Sequence, residues 1–150
     1  MRLSRVFFGS AALFLSALAL VVASNLATVA AQEDTPAFHS EAPKQPLPPT
    51  MDPAQFPEPV VRNSYAVAAK VKKVLYQQPC YCHCDRSQGH GSLLDCFVSK
   101  HASVCGTCIK EAFYAYEQTK AGKSPAQVRT AIKRGDWESV DLSKYAQPVK

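Results

Sequence analysis

The sequence predicts an all-α domain, a small bundle of about four short helices around a loop rich in cysteine and histidine. Three observations support this class. Apolar residues recur at helical spacing, capping residues and glycines bracket the apolar segments, and no stretch alternates apolar and polar residues as a strand would. We assign the domain to residues 63–137, a disordered proline-rich linker to residues 32–62, and a tail to residues 138–150.

The first predicted helix begins at Asn63, or at Ser64, either of which can accept a hydrogen bond from the next helical turn as an N-cap. Residues 80–91, with the sequence CYCHCDRSQGHG, show no apolar period and are predicted to form a loop. The second helix follows, with Ser92 as its N-cap and Asp95 three residues later in a position resembling a capping box.

The third and fourth predicted helices have clear start and stop signals. Cys105 and Cys108 lie at the start of the third helix, which Gly122 ends. Ser124, followed by proline, caps the fourth helix, and Gly135 ends it. With about 75 residues, such a domain buries a modest core, so bridges or a metal ion would help to stabilise it.

The proline-rich linker contains eight of the 11 prolines in the chain. Proline fixes φ and has no backbone N–H, so this density predicts neither helix nor strand. We therefore predict a disordered or polyproline-like tether, in which His39 is a solvated residue.

Residues 1–31 have the features of an export signal. Arg2 and Arg5 form a basic start, an apolar stretch follows, and small residues up to Ala31 permit cleavage. We therefore predict an exported protein, periplasmic or extracellular. The alternative is an uncleaved signal that anchors the chain in a membrane. No cysteine precedes Cys80, so we expect no lipid anchor.

The charge pattern argues against a nucleic-acid partner. The chain has a formal net charge of +5, and removal of Arg2 and Arg5 takes this from +5 to +3. The remaining basic residues are spread along the chain and do not form the clustered patch typical of nucleic-acid binding. The partners that we expect are a metal ion and another exported protein.

The candidate site is a set of thiols and imidazoles that suits a soft metal ion. A C-x-C-x-C triplet can curl around one centre, and a later C-x-x-C pair has the spacing common in zinc and redox sites. Thiolates favour Zn(II) or Cu(I). We predict a metal-binding protein rather than an enzyme, with the ligands Cys80, Cys82, Cys84, His90, Cys96, His101, Cys105 and Cys108.

The histidines differ in their surroundings. His90 lies between two glycines, where the loop can aim its ring, whereas His101 shares a helical face with core residues and could equally be a core histidine. His83 lies inside the triplet and either binds metal or points outwards. Asp85 is a candidate partner for a ligand histidine, although a loop cap is its commoner role.

Two other uses of the six cysteines remain open. An exported chain with an even number of cysteines is also typical of a disulfide-stapled interaction module. Bridges within C-x-C pairs would close strained rings, so residues 80, 82 and 84 would pair largely with residues 96, 105 and 108. The third use is thiol–disulfide chemistry at Cys105 and Cys108, although the βαβ pattern of thioredoxin-like proteins is absent.

Two further chemistries are excluded. Covalent haem needs C-x-x-C-H, and Ile109 follows Cys108. A Cys–His hydrolase needs one privileged nucleophile beside a positioned base, which six clustered cysteines do not provide. Crowding in the C-x-C-x-C triplet favours metal among the three remaining uses.

The strings PCYCHCD, GHGSLLDCFV and HASVCGTCIKEA resemble the bacterial family named for a PCYCGC motif, over about residues 76–122. Members of that family are small exported proteins, many of them lipoproteins, with no established role. The resemblance implies export and a shared cysteine centre, and it carries over no activity. The chain departs from the name motif at His83, where the motif has glycine.

Overall fold

The computed structural model describes residues 34–148, and across this range it is helical with no strand, which confirms the predicted all-α class. The chain divides into two units, Met1–Thr35 and Pro36–Lys150. The predicted export signal lies outside the described residues, as does the start of the linker. No helix in the described part is long and apolar enough to span a bilayer.

The described chain contains six α-helices joined by short 3-10 segments. The α-helices are α1 (Pro59–Lys70), α2 (Lys72–Leu75), α3 (Cys84–Gln88), α4 (Asp95–Val98), α5 (Gly106–Lys120) and α6 (Pro125–Lys133). The 3-10 segments are Pro53–Gln55, His101–Val104, Asp136–Ser139 and Leu142–Tyr145.

Helices α1 and α5 pack against each other and form the main scaffold. Their facing sides carry fully buried aromatic and apolar side chains, among them Tyr65 from α1 and Phe113 from α5. Phe97 of α4 packs edge-on against Tyr65, with ring centroids 5.1 Å apart. The same cluster of buried residues includes four of the cysteines, so the candidate site is part of the core.

The termini of α5 and α6 match the sequence prediction. Ser124 accepts a hydrogen bond from the Gln127 N–H, and the Gln127 side chain accepts one from the Ser124 N–H, which makes a complete capping box. Gly122 and Gly135 both follow helix ends with positive φ, 79° and 87°. Glycine adopts this left-handed conformation without steric cost, so both positions end a helix cleanly.

Helix α1 begins four residues before the predicted N-cap. Pro59 occupies the first helical position, which tolerates the missing N–H. Asn63 therefore lies inside α1, and its side-chain amide donates to the carbonyls of Tyr145 and Gln147 at 2.7 and 2.8 Å. The predicted tail is thus tied back to the helical domain, and Tyr145 also stacks on Phe113 with ring centroids 3.7 Å apart.

The part of the proline-rich linker that the structure describes lies packed on the helices, which corrects the predicted disordered tether. The Met51 N–H donates to the Phe97 carbonyl at 2.9 Å, and Phe56 stacks on Tyr65 with ring centroids 4.0 Å apart. His39, predicted to be solvated, stacks on Tyr76 with ring centroids 3.9 Å apart. Proline prevents regular structure but does not prevent an irregular segment from burying aromatic and apolar side chains.

The cysteine loop also differs from its prediction. Residues 84–88 form the short helix α3, and α4 begins at Asp95 rather than after Ser92. The Asp95 carboxylate accepts from the Gly91 and Ser92 N–H groups at 2.7 and 3.2 Å. This is the carboxylate half of a capping box, whereas the Ser92 hydroxyl is buried without a hydrogen-bond partner.

Candidate metal centre

Three parts of the chain bring the thiols together. The loop after Pro79 carries Cys80 and Cys82, and it leads into Cys84 at the start of α3. Helix α4 contributes Cys96. The N-terminal end of α5 contributes the last pair, with Cys105 as its N-cap residue and Cys108 in its first turn.

The thiols lie close to one another, and all six are free. Cys80 lies 3.3 Å from Cys82 and 3.4 Å from Cys108, measured between Sγ atoms. The Sγ atoms of Cys82 and Cys108 are 3.6 Å apart, and those of Cys84 and Cys96 are 3.4 Å apart. Zinc–sulfur bonds of about 2.3 Å in a tetrahedron give sulfur–sulfur edges of about 3.8 Å, close to these spacings.

Two histidines approach the same sulfurs. His101 Nε2 lies 3.6 Å from the Cys82 Sγ, and His90 Nδ1 lies 3.3 Å from the Cys96 Sγ. The two imidazole rings meet edge-to-face with centroids 5.2 Å apart. Imidazole nitrogen binds the same metal ions as thiolate, so His101 extends the donor set. His90 was also predicted as a ligand, but it contacts the Cys96 sulfur without joining any group of four donors.

The donor atoms form three groups of four, and within each group every atom lies within 4.8 Å of the others. We call them the sulfur group, the central mixed group and the outer mixed group. The sulfur group is Cys80, Cys82, Cys96 and Cys108. The central mixed group is Cys82, Cys84, Cys96 and His101. The outer mixed group is Cys82, His101, Cys105 and Cys108. This Cys/His cluster therefore has the geometry to hold a metal ion.

The donors differ in burial. Four thiols are buried with 2% or less of their surface exposed, and we call them the buried thiols: Cys80, Cys84, Cys96 and Cys108. The remaining donors are partly open to solvent, and we call them the half-exposed donors: Cys82, His90, His101 and Cys105. The cluster thus has a closed side within the core and an open side at the surface.

Hydrogen bonds among the sulfurs lower the pKa of the two half-exposed thiols. A hydrogen bond from Cys80 holds the pKa of Cys82 at about 4, against an ordinary value of 9.0, and His101 adds to the effect. A hydrogen bond from Cys108 lowers the pKa of Cys105 to about 7. The N-terminus of α5 also favours a thiolate there, because the helix dipole places partial positive charge at that end.

The buried thiols that donate these hydrogen bonds hold their protons more firmly. The pKa of Cys80 is raised, chiefly by its hydrogen bond with Cys108, and the pKa of Cys108 is raised, chiefly by its hydrogen bond with Cys105. Cys96 is buried yet has a lowered pKa, because the neighbouring Cys108 and Cys80 thiols stabilise its thiolate. The hydrogen bond with the Cys82 sulfur raises the pKa of His101.

Glu111 was not predicted as part of the site. It lies on α5 with none of its surface exposed, and its Oε1 accepts from the Tyr81 N–H at 2.8 Å. Burial raises its pKa well above the ordinary value, while Cys80 and the Tyr81 N–H act in the opposite direction. Its helical spacing from Cys108 and Ala115 places a carboxyl on the core face, and that was the signal available in the sequence.

The other polar residues of the loop lie outside the three donor groups. The Asp85 carboxylate accepts from the Ala37 N–H at 3.1 Å, so it holds the proline-rich segment and does not orient a histidine. His83 belongs to none of the groups, and its Nδ1 is buried without a hydrogen-bond partner. His83 is also the one non-glycine residue with positive φ, 54°, among the described residues.

Fold and site together define a small cysteine-rich helical protein whose thiols converge on one centre. The chain matches a family described as a protein of unknown function with PCYCGC motif over residues 23–149, and it belongs to that family. No curated protein and no solved structure matches the chain. The predicted resemblance is confirmed, and the left-handed backbone at His83 explains why the name motif carries glycine there.

Proposed function

We propose that this protein is an exported metal-binding protein that holds Zn(II) or Cu(I) through thiolates and imidazoles of the Cys/His cluster. One observation carries the proposal, namely that four-donor groups of thiols and imidazole lie within 4.8 Å of one another. Four such donors match the tetrahedral preference of zinc, and soft sulfur ligands suit Cu(I) equally. Export rests on the basic start and apolar stretch of residues 1–31.

Electrostatics supports a cation at this position. Cys82, Cys96 and Cys105 all have lowered pKa values, so they tend towards thiolates, and the Cys82 sulfur lies within 4.8 Å of each of the other two. Several negative charges in a mostly buried cluster are costly unless a cation compensates them. A bound metal ion supplies that compensation and would stabilise the fold of a small domain, since the site forms only when the chain folds.

The first test counts metal and thiols on the protein purified without added metal. Elemental analysis is paired with alkylation mass spectrometry under denaturing, chelating conditions. We expect stoichiometric zinc or copper together with alkylatable cysteines, and the analysis names the ion. No metal with six cysteines that resist alkylation would overturn the proposal and leave a disulfide-stapled interaction module.

A matched pair of histidine variants tests the ligand set. His101 belongs to two donor groups and His83 to none. We expect His101→Ala to weaken zinc binding about 10-fold, or about 1.4 kcal/mol. His83→Gly keeps all predicted ligands and suits the left-handed backbone, so its zinc affinity should equal that of the parent. Competition with a chromogenic chelator measures both, and equal affinities would remove His101 from the ligand set.

Thiol–disulfide chemistry at Cys105 and Cys108 is a second candidate. It is favoured by the pKa of Cys105, lowered to about 7 at a helix N-terminus. This function predicts no bound metal, one cysteine that reacts far faster than the rest, and a pair that mild oxidant closes and thiol reductant reopens. The metal and thiol counts described above distinguish it from the metal proposal.

A further inference from the structure

The three donor groups overlap, and the overlap determines how ions can share the cluster. Cys82 belongs to all three groups. Any two groups also share one further residue, which differs from pair to pair. It is Cys96 for the sulfur and central mixed groups, Cys108 for the sulfur and outer mixed groups, and His101 for the two mixed groups. Two groups therefore cannot be filled by ions with separate ligands.

The chemistry of the shared atoms decides which groups can be filled together. A thiolate sulfur has several lone pairs and can bridge two metal ions, whereas each nitrogen of a neutral imidazole has at most one lone pair to offer. The two mixed groups share His101, so they cannot both be complete. The sulfur group can be filled with either mixed group, because the two shared residues are then both cysteines.

A single ion would leave several donors of the cluster without metal. A tetrahedral ion takes four donors, which leaves at least three of the seven grouped donors unused. Depending on the group that is filled, one, two or three of the four buried thiols remain without metal. A lone divalent ion on the sulfur group also leaves two of its four thiolate charges uncompensated. Two divalent ions, one in the sulfur group and one in a mixed group, leave only one of the five thiolate charges uncompensated.

We propose that the cluster holds two metal ions that share bridging thiolates, with Cys82 as a bridge in either arrangement. The sulfur group takes one ion, and the second ion occupies one mixed group. The second bridge is Cys96 when the central mixed group is filled and Cys108 when the outer mixed group is filled. This inference rests on the proposed function and extends it from a single ion to a two-ion cluster.

The arrangement makes a specific prediction about the cysteines that belong to one group only. Cys84 occurs only in the central mixed group and Cys105 only in the outer mixed group. Removing either one leaves the other two-ion arrangement intact. Removing both leaves the sulfur group alone, and removing Cys82 damages every group.

The test is the zinc stoichiometry of the reduced protein, titrated anaerobically with zinc sulfate and read by native mass spectrometry. We expect two ions for the parent, for Cys84→Ser and for Cys105→Ser. The double variant Cys84→Ser/Cys105→Ser should hold one ion, and Cys82→Ser should lose the two-ion species. X-ray absorption should show a metal–metal distance in the parent and not in the double variant.

The outcomes separate this inference from the proposed function. One ion at saturation in the parent overturns the two-ion cluster and leaves metal binding intact, whereas no ion overturns both. A two-ion species that survives Cys82→Ser also overturns the bridge. If Cys82→Ser does not fold, judged by circular dichroism, the comparison of the two single variants with their double variant still decides.

Discussion

The buried thiols and the half-exposed donors use the same chemistry in different surroundings. Cys80, Cys96 and Cys108 lie in the hydrophobic core among residues that hold α1 and α5 together. Cys82, Cys105 and the two histidines are partly open to solvent. The proposed ion on the buried side would be held by the fold itself, whereas solvent and incoming ligands would reach an ion on the open side. The difference teaches that one cluster offers a closed and an open environment to the metal ions that we propose it binds.

The largest expected effect is a loss of stability, which we compare between a variant that lacks a buried thiol and a variant that lacks a half-exposed thiol. Structural zinc contributes about 10 kcal/mol or more through about four ligands, so a buried ligand is worth about 3 kcal/mol. We expect Cys96→Ser to lower the unfolding free energy of the zinc-loaded protein by about that amount. For Cys105→Ser we expect about 1 kcal/mol, because water can replace a half-exposed ligand. Urea unfolding measures both, and equal losses would break the comparison.

Alkylation rates sharpen the comparison in the reduced, metal-free protein. The thiolate is the reactive form, and its fraction rises as pH rises through the pKa. With pKa values of about 4 and about 7, Cys82 should react at a constant rate above about pH 5, while the rate of Cys105 climbs through about pH 7.

Buried Cys80 and Cys108 have raised pKa values, so each should react at least about 10-fold more slowly than either half-exposed thiol at neutral pH. Mass spectrometry after pulses of iodoacetamide at a series of pH values gives each rate. Faster reaction at Cys108 than at Cys105 would reverse the assignment of closed and open sides.

Glu111 tests what the closed side requires besides sulfur. Glu111→Ala leaves the Tyr81 N–H without its acceptor and opens a cavity, so we expect a loss of about 2 kcal/mol in unfolding free energy. Glu111→Gln keeps the accepting oxygen and carries no charge, so its stability at neutral pH should match or exceed that of the parent. Thermal unfolding of both variants checks this, and a loss in Glu111→Gln as large as in Glu111→Ala would show that the charged carboxylate is needed.

The smallest expected effect concerns the link between the two sides. His83 joins half-exposed Cys82 to buried Cys84 with φ at 54°, a conformation that costs a non-glycine residue about 1 kcal/mol. We expect His83→Gly to raise the unfolding free energy by about that amount. Gly89→Ala is the matched opposite, because Gly89 has φ +69° and open space around its Cα, so strain alone should lower stability by a similar amount. A loss of stability in His83→Gly would mean that the imidazole itself is needed.

Local signals in the sequence were enough to predict the all-α class, the ends of α5 and α6, and the clustering of the cysteines. The N-cap at Ser124 and the helix ends at Gly122 and Gly135 depend on neighbouring residues, and all three were predicted correctly. The convergence of the thiols was also foreseeable, because C-x-C-x-C can curl around one point. The division into three overlapping groups was not foreseeable from the sequence, because it depends on how α4 and α5 pack against the loop.

The proline-rich segment shows where local reasoning fails. Proline density correctly predicted the absence of strand in the described part of the segment, but α1 begins inside it at Pro59, and disorder did not follow either. His39 and Met51 find their partners, Tyr76 and Phe97, far along the chain, and no local pattern identifies such partners. Pairing of this kind is a tertiary property, decided by which surfaces the finished helices leave uncovered.

The contact between Ala37 and Asp85 joins residues 48 positions apart, and it has a consequence for the order in which parts of the new chain can pack. A chain is synthesised from its N-terminus, so the proline-rich segment emerges long before the residues on which it packs. Tyr65 and Tyr76, on which Phe56 and His39 stack, emerge first, whereas Asp85 and Phe97 follow later. The proline-rich segment can therefore complete its packing only after residues far along the helical domain have been synthesised.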